Sequence, residues 1–129
     1  MGTFSLQSEA GSLGEKLGCR YLHQKGYKIL ETNYCNTFGR RLGEIDIVAQ
    51  KKQELVFVEV KTRYAPRQDD LLPEASITPA KLRKLERIAK HYLREKRQES
   101  ATYHFDALSI IYNKITKEAS IRHLEHIFF

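Results

Sequence analysis

Apolar residues recur at helical spacing near the start of the chain. Leu13, Leu17 and Tyr21 fall on one helical face, and Gly26 follows at a position where a helix can end. The pattern predicts a first helix over about residues 8–25.

The strongest helix signal lies in the second half of the chain. Thr78 is a favourable N-cap residue, and Pro79 suits the first position of a helix. The apolar residues that follow share one helical face: they are Leu82, Leu85, Ile88, Ala89, Tyr92 and Leu93. The sequence therefore predicts an amphipathic second helix that begins at this proline.

Segments rich in β-branched and aromatic residues predict the strands. They cover about residues 27–34, 44–50, 55–61 and 105–112, and a weaker one covers 120–129. The polar residues 51–54 separate the second strand from the third, which predicts an antiparallel hairpin. The order is α-β-β-β-α-β with a weaker last strand, so we expect an α/β fold in which helices flank a mixed β-sheet.

The length of 129 residues suits one compact domain, which we expect to cover residues 1–129. Residues 1–8 are expected to be disordered. Residues 62–77 carry two of the three prolines and are expected to form a long mobile loop.

Basic residues outnumber acidic ones by 22 to 16, and the net charge of +6 favours a polyanionic partner, with nucleic acid as the first choice. The second predicted helix carries this whole excess. Its basic residues opposite the apolar face are Arg83, Lys84, Arg87, Lys90, Arg94 and Arg97. The pattern is equally consistent with phosphate binding and with a solvated surface.

The two cysteines, Cys19 and Cys35, form no CxxC pair, which is typical of reduced thiols in a cytoplasmic protein. We see no signal-peptide pattern and no apolar segment near the ~20 residues that cross a bilayer. We therefore expect a cytoplasmic protein with no membrane partner. The absence of Walker, GxGxxG and GxSxG motifs argues against nucleotide-cofactor and serine-hydrolase chemistry.

Two carboxylates and a lysine occupy the predicted hairpin. Side chains alternate along a strand, so Glu59 and Lys61 share a face with apolar residues. A charge there costs free energy unless it is paired or binds a metal. If Gln50 pairs with Leu55, Asp46 lies opposite Glu59 on the same face, with Cβ atoms about 4.5 to 5.5 Å apart. A slip of one residue would move Asp46 to the other face.

In that register, one divalent ion could take an oxygen from each carboxylate. Hard carboxylate ligands without a nearby histidine or cysteine favour Mg²⁺ or Mn²⁺ over Zn²⁺. Such an ion suits phosphodiester hydrolysis, in which Lys61 would orient the attacking water or stabilise the charged transition state. From the pattern alone, a cross-strand charge cluster at a sheet edge is the more frequent arrangement.

The same residues resemble a known signature. Segments 43–46 (GEID) and 56–63 (VFVEVKTR) resemble the PD-(D/E)xK signature of the restriction-endonuclease and Holliday-junction-resolvase superfamily, with Ile45 where that signature has proline. The chain more closely resembles the small bacterial YraN-like proteins. This resemblance also includes residues 14–15, 26–27, 33, 78–81 and 105–106, and so extends over most of the chain.

The resemblance implies a restriction-endonuclease-like fold and a metal-dependent endonuclease that acts on DNA, including branched or structured DNA. Asp46, Glu59 and the Val60 carbonyl would bind Mg²⁺ or Mn²⁺, and Lys61 would serve catalysis. Glu15 and Lys81 match family positions that face the same site. Resolvase relatives commonly work as homodimers, so the resemblance also makes a homodimer the assembly to test.

Two alternatives stay open. The chain could be a nucleic-acid-binding module that keeps the nuclease fold without catalysis, or an interaction protein whose basic helix docks on an acidic protein. Arg40, Arg41 and Arg63 flank the hairpin strands and could contact a nucleic-acid backbone, although arginines in loops are more often only solvated.

Three further residues could form a site near the C-terminus. Asp106 shares a strand face with Leu108, and we expect it to have a structural hydrogen-bonding role. His123 and His126 would lie on opposite faces of the weak last strand, with neither cysteine near in sequence. This spacing argues against zinc binding.

Overall fold

The structure is a computed structural model that describes residues 6–65 and 77–127, with side chains from residue 11 onward. Its elements are α1 (Leu6–Gln24), β1 (Lys28–Tyr34), β2 (Ile45–Lys51), β3 (Glu54–Ala65), α2 (Pro79–Glu95), β4 (Tyr103–Asn113) and β5 (Glu118–Leu124). The strands form a five-stranded sheet in the order β1-β2-β3-β4-β5. Only the β3–β4 pair is parallel within the described sheet, and α2 lies in its crossover connection. The predicted order and mixed sheet are confirmed, and they are consistent with a restriction-endonuclease-like fold.

The β2–β3 hairpin has the predicted register. Gln50 pairs with Leu55, and the ladder runs from Lys51–Glu54 to Ile47–Val58. The turn contains Lys52 with a φ of 58°, the left-handed conformation that tight hairpin turns use.

Helix α2 covers one face of the sheet and begins as the sequence predicts. Thr78 caps it by accepting a hydrogen bond from the backbone N–H of Lys81 (3.3 Å), and Pro79 follows. Its apolar side chains pack on the sheet in a cluster that includes Leu55, Phe57, Leu85, Ile88, Ala89, Tyr92 and Leu93. This face is rich in aromatic contacts, which fix the position of α2.

Helix α1 covers the opposite face, where Leu22 packs with Ile47, Val58, Leu108 and Ile110. A Cβ at Gly14 would overlap Thr62 Oγ1 and lie 3.0 Å from Thr62 Cβ. A Cβ at Gly18 would lie 3.2 Å from Leu108 Cδ1. The helix therefore approaches the sheet more closely than an ordinary side chain would allow.

Three predicted boundaries are wrong. Strand β3 continues to Ala65 because its ladder with β4 extends to Ala65–Asn113, so the expected loop does not begin at residue 62. Residues 6–8 belong to α1 instead of a disordered end, whereas residues 1–5 and 66–76 lie outside the described residues. Strand β5 stops at Leu124, after which His126 has a φ of 53° and Ile127 donates its N–H to the Phe105 carbonyl (2.8 Å).

Both cysteines are free. Among the described residues, neither helix combines the length and apolar composition needed to cross a membrane. The structure therefore adds no membrane-spanning helix to the predicted fold.

We expect Gly14→Ala to lower the free energy of unfolding by about 1 to 3 kcal/mol, because the new methyl group would overlap Thr62. Gly11→Ala is the matched control in the same helix, since a Cβ there meets no atom within 4 Å. It should leave stability unchanged or raise it by up to about 1 kcal/mol. Chemical denaturation measures both, and equal stabilities of the two variants would contradict the close contact.

Candidate functional site

Glu59 and Lys61 lie side by side on the face of β3 that α2 covers. Lys61 Nζ is 3.0 Å from Glu59 Oε1, and the two side chains are only 20% and 14% exposed. Leu55 and Phe57 belong to the apolar cluster on this face, so the predicted alternation is confirmed. Burial lowers the pKa of Lys61, but the charge and hydrogen bond of Glu59, together with Lys81 and Asp46, raise it, and the net pKa lies above its ordinary value. Lys61 is therefore held as a cation.

Asp46 lies one residue beyond the last pair of the β2–β3 ladder. Its Oδ2 accepts a hydrogen bond from the backbone N–H of Val60 (2.8 Å). Burial raises the pKa of Asp46 to about 7, and the negative charge of Glu59 contributes in the same direction. The hydrogen bond from Val60 only partly offsets this. Asp46 and Glu59 are thus close enough to repel each other, and a bound cation would relieve this repulsion.

Two clefts adjoin this pair of carboxylates. The α1-side cleft is lined by Gly11, Ser12, Glu15, Asn33, Glu44, Asp46 and Val60. The α2-side cleft is lined by Gly43, Glu44, Glu59, Lys61, Lys81, Lys84 and Leu85. Because Glu44 lines both, the clefts are neighbours. The expected single face is therefore split: Asp46 lines one cleft, whereas Glu59 and Lys61 line the other.

Glu15 projects into the α1-side cleft together with Asp46. Asn33 Nδ2 donates a hydrogen bond to Glu15 Oε2 (2.6 Å). Asn33 has a φ of 52°, a left-handed conformation that asparagine tolerates better than most residues. The Glu15 side chain is half-buried at the cleft.

Lys81 lies in the first turn of α2 and lines the α2-side cleft with Lys61. Partial burial and the positive charge of Lys61 lower the pKa of Lys81. A helix dipole disfavours a cation in this turn. The two ammonium groups therefore make the α2-side cleft suitable for an anion such as a phosphate.

The basic face of α2 is exposed as predicted. Its exposed residues are Arg83, Lys84, Arg87, Lys90 and Arg94, whereas Arg97, which was expected on this face, lies beyond the end of α2 with a φ of 54°. Lys90 Nζ forms an ion pair with Glu86 Oε1 at 3.3 Å, which reduces its availability to a partner. Because Lys84 also lines the α2-side cleft, the basic face reaches the candidate site.

The loop between β1 and β2 is held by the side chain of Asn36. This amide donates to the carbonyls of Phe38 (2.8 Å) and Arg40 (2.9 Å), and its oxygen accepts from the N–H of Leu42 (3.0 Å). Arg41 forms an ion pair with Glu44 at 2.9 Å. The predicted contact residues Arg40 and Arg41 are exposed on this loop.

Sequence reasoning overlooked Phe38, which is 86% exposed on the same loop. The available signal was an aromatic residue between turn-forming residues and two arginines. Arg63, the third arginine predicted to contact a backbone, is also exposed, and its guanidinium donates to the Thr62 carbonyl (3.0 Å). An exposed aromatic beside arginines is typical of surfaces that stack on bases.

Asp46 should make stability fall with pH in metal-free buffer. Its ordinary pKa of 3.8 applies to the unfolded chain and about 7 to the folded one, so the folded state binds the proton more tightly. The stabilisation is complete below about pH 4 and is lost as pH rises through 7, on the order of 4 kcal/mol. We expect Asp46→Asn to remove this component in urea denaturation from pH 4 to 8.

Glu59→Gln is the informative second variant because it removes the neighbouring charge and keeps the size. The pH-dependent loss should then begin at lower pH and be smaller. A wild-type profile that parallels that of Asp46→Asn would contradict the raised pKa.

The model of the family described as "Uncharacterised protein family UPF0102" matches residues 14–110. The chain is 37% identical to a UPF0102 protein of Alkaliphilus metalliredigens (strain QYMF), over 95% of this chain and 100% of that protein. It is 42% identical to a UPF0102 protein of Syntrophomonas wolfei, over 82% and 87% of the two chains, and 35% identical to one of Pelotomaculum thermopropionicum, over 92% and 93%. The matched segment contains Glu15, Asp46, Glu59, Lys61 and Lys81. The resemblance to YraN-like proteins is thus confirmed, and the chain belongs to the UPF0102 family.

Proposed function

We propose that this chain is a metal-dependent nuclease that hydrolyses phosphodiester bonds of DNA, with branched or otherwise structured DNA as its substrate. The supporting observation is that a repelling carboxylate pair, Asp46 and Glu59, adjoins a cleft lined by Lys61 and Lys81. A cation site beside an anion site is what phosphodiester hydrolysis requires. Membership of the PD-(D/E)xK superfamily is part of this proposal.

The residues fit Mg²⁺ or Mn²⁺ because they offer oxygen ligands. Asp46, Glu59 and the Val60 carbonyl would hold the ion, with Glu15 as a further carboxylate in the α1-side cleft. When bound, the ion supplies Lewis-acid stabilisation of the phosphate and activation of a water. The hydrogen bond from the Val60 N–H orients the Asp46 carboxylate in the absence of any ligand.

The lysines supply the second half of the chemistry. Lys61 is held cationic by Glu59, so it stabilises the negative charge that develops on the phosphate and orients the attacking water. Its raised pKa argues against a role as general base. Lys81 and Lys84 bind the phosphate from the α2 side of the same cleft.

The surrounding surface supports a nucleic-acid substrate. Arg40 and Arg41 precede β2, and Arg63 lies near the end of β3. All three are exposed, and they would contact the sugar-phosphate backbone. Phe38 offers a stacking surface to bases that are unpaired, as at a junction. Action in the cytoplasm and assembly as a homodimer are part of the proposal.

Calorimetry and cleavage test the nuclease on one set of samples. We expect saturable Mg²⁺ and Mn²⁺ binding that Asp46→Ala and Glu59→Ala abolish, together with cleavage of linear, nicked or four-way DNA. Lys61→Ala should keep metal binding and lose about 10²-fold or more in rate. As the pH increases toward 7, metal affinity should increase by up to about tenfold per pH unit, because Asp46 must lose a proton to bind the ion.

Lys28→Ala is the control for these variants, since it removes an exposed lysine from β1 outside both clefts. It should match the wild type in every assay. If the wild type binds neither ion even with DNA present, the catalytic proposal fails.

A non-catalytic nucleic-acid-binding module is the second candidate, and the exposed basic face of α2 favours it. Removing one side chain that binds a phosphate should reduce the slope of log affinity against log salt concentration by about 0.9 on duplex DNA. We expect Arg87→Gln with Arg94→Gln to reduce the slope by up to about 2, and Lys28→Gln to leave it unchanged. Steep salt dependence without metal dependence would favour this module over the nuclease.

The basic face could instead dock on an acidic protein. Duplex DNA should then fail to displace that protein, whereas DNA binding through the same arginines would displace it. An unchanged salt slope in the double variant would contradict the assignment of the α2 face to phosphate binding.

A further inference from the structure

A second group of metal-ligating side chains lies beneath the C-terminal half of α1, outside both clefts. It comprises Asp106 on β4, His123 on β5 and Glu125 just after β5, and their ligand atoms lie within 4.8 Å of one another. Asp106 is completely buried, the His123 side chain is 10% exposed, and Glu125 is at the surface. One side of the group is therefore buried, at Asp106, and the other side is open to solvent, at Glu125.

A strand that continued to residue 129 would place His123 and His126 on opposite faces, and only in that arrangement does their spacing disfavour zinc. Because β5 ends at Leu124, the following residues turn back toward Asp106, and His126 donates its backbone N–H to Asp106 Oδ1 (3.1 Å). The structural hydrogen-bonding role expected of Asp106 is confirmed, and its carboxylate lies at the centre of the cluster.

A tyrosine hydroxyl contacts each of the two less buried residues, His123 and Glu125. Tyr21 Oη lies 3.1 Å from His123 Nδ1, which leaves Nε2 directed at Asp106 Oδ2, 2.7 Å away. Tyr27 donates its hydroxyl proton to Glu125 Oε1 at 3.5 Å. Metal-binding histidines and carboxylates are characteristically fixed by such outer hydrogen bonds. The ligand set is thus oriented before any ion binds, and an ion would replace the proton shared by His123 Nε2 and Asp106 Oδ2.

A second histidine, His104, lies beside the Asp106 carboxylate. His104 Nε2 is buried without a hydrogen-bond partner and lies 3.1 Å from Asp106 Oδ1. The other ring nitrogen of His104 contacts Glu54, and the ring stacks on that of His126 with centroids 4.0 Å apart. The Asp106 carboxylate is completely buried, and a cation bound to it would offset the free-energy cost of burying its charge.

We propose that Asp106, His123 and Glu125 form a transition-metal site that takes Zn²⁺ in preference to Mg²⁺. An imidazole nitrogen with two carboxylates suits Zn²⁺, whereas Mg²⁺ prefers oxygen ligands alone. The site is independent of the proposed nuclease centre, because Asp106 pairs with Val58 on the α1 side of the sheet. An ion there would join β4, the end of β5 and, through Tyr21, helix α1.

Calorimetry with Zn²⁺ and visible absorption with Co²⁺ test the site on the full chain, prepared without a polyhistidine tag and stripped of metal. We expect one Zn²⁺ per chain, a Co²⁺ spectrum with nitrogen ligation and a higher unfolding temperature with Zn²⁺. His123→Ala should abolish binding. Glu125→Gln, which changes an exposed side chain and keeps its size, should weaken binding at least about tenfold, and Tyr27→Phe should weaken it about tenfold.

The controls separate this site from its neighbours. Asp46→Ala with Glu59→Ala should leave Zn²⁺ binding unchanged, and loss of binding there would overturn the assignment. Binding that survives Glu125→Gln but is lost in His126→Ala would place the ion on Glu54, His104 and His126 and would also overturn it. If His123→Ala fails to fold, Glu125→Gln decides. Failure of the wild type to bind Zn²⁺ or Co²⁺ would leave a hydrogen-bonded cluster, whatever the outcome of the nuclease assays.

Discussion

Strand β3 is paired with β2 along its first half and with β4 along its whole length, so its register determines which side chains face each helix. In the observed register, Phe57 faces α2 and Val58 faces α1, and both lie in apolar clusters. A slip of one residue would exchange these faces and carry Glu59 and Lys61 into the α1 core. The free-energy cost of burying these charges therefore disfavours the slipped register and maintains the register that forms the candidate site.

The candidate site weakens the fold that supports it. Asp46 is half-buried near Glu59, and its partial burial together with the repulsion between the two carboxylates raises the pKa of Asp46 to about 7. A bound divalent ion would remove this penalty and stabilise the folded state by an amount that grows with the logarithm of its concentration relative to its dissociation constant. Stability and metal binding are thus linked through one carboxylate, and the hydrogen bond from Val60 keeps that carboxylate in position meanwhile.

Local patterns predicted the parts of the structure that depend on neighbours in sequence. The alternation around Phe57 gave the hairpin register, and Thr78 with Pro79 gave the start of α2. Alternation could not predict that Asp46 and Glu59 line different clefts, because the ladder ends at Ile47–Val58. The cluster around Asp106 was equally inaccessible: Tyr21 and His123 are 102 residues apart, and the apolar residues at the C-terminus resemble a longer strand.

The close contact between Gly14 and Thr62 lies in the same segment of α1 that lines the α1-side cleft. Helix α1 forms one wall of that cleft through Gly11, Ser12 and Glu15, and strand residues form the other. Since Gly14 has no side chain to separate helix from sheet, α1 lies close to β3 beside the cleft that Glu15 and Asp46 line. A larger residue at position 14 would therefore change both the packing of α1 on the sheet and the cleft beside it.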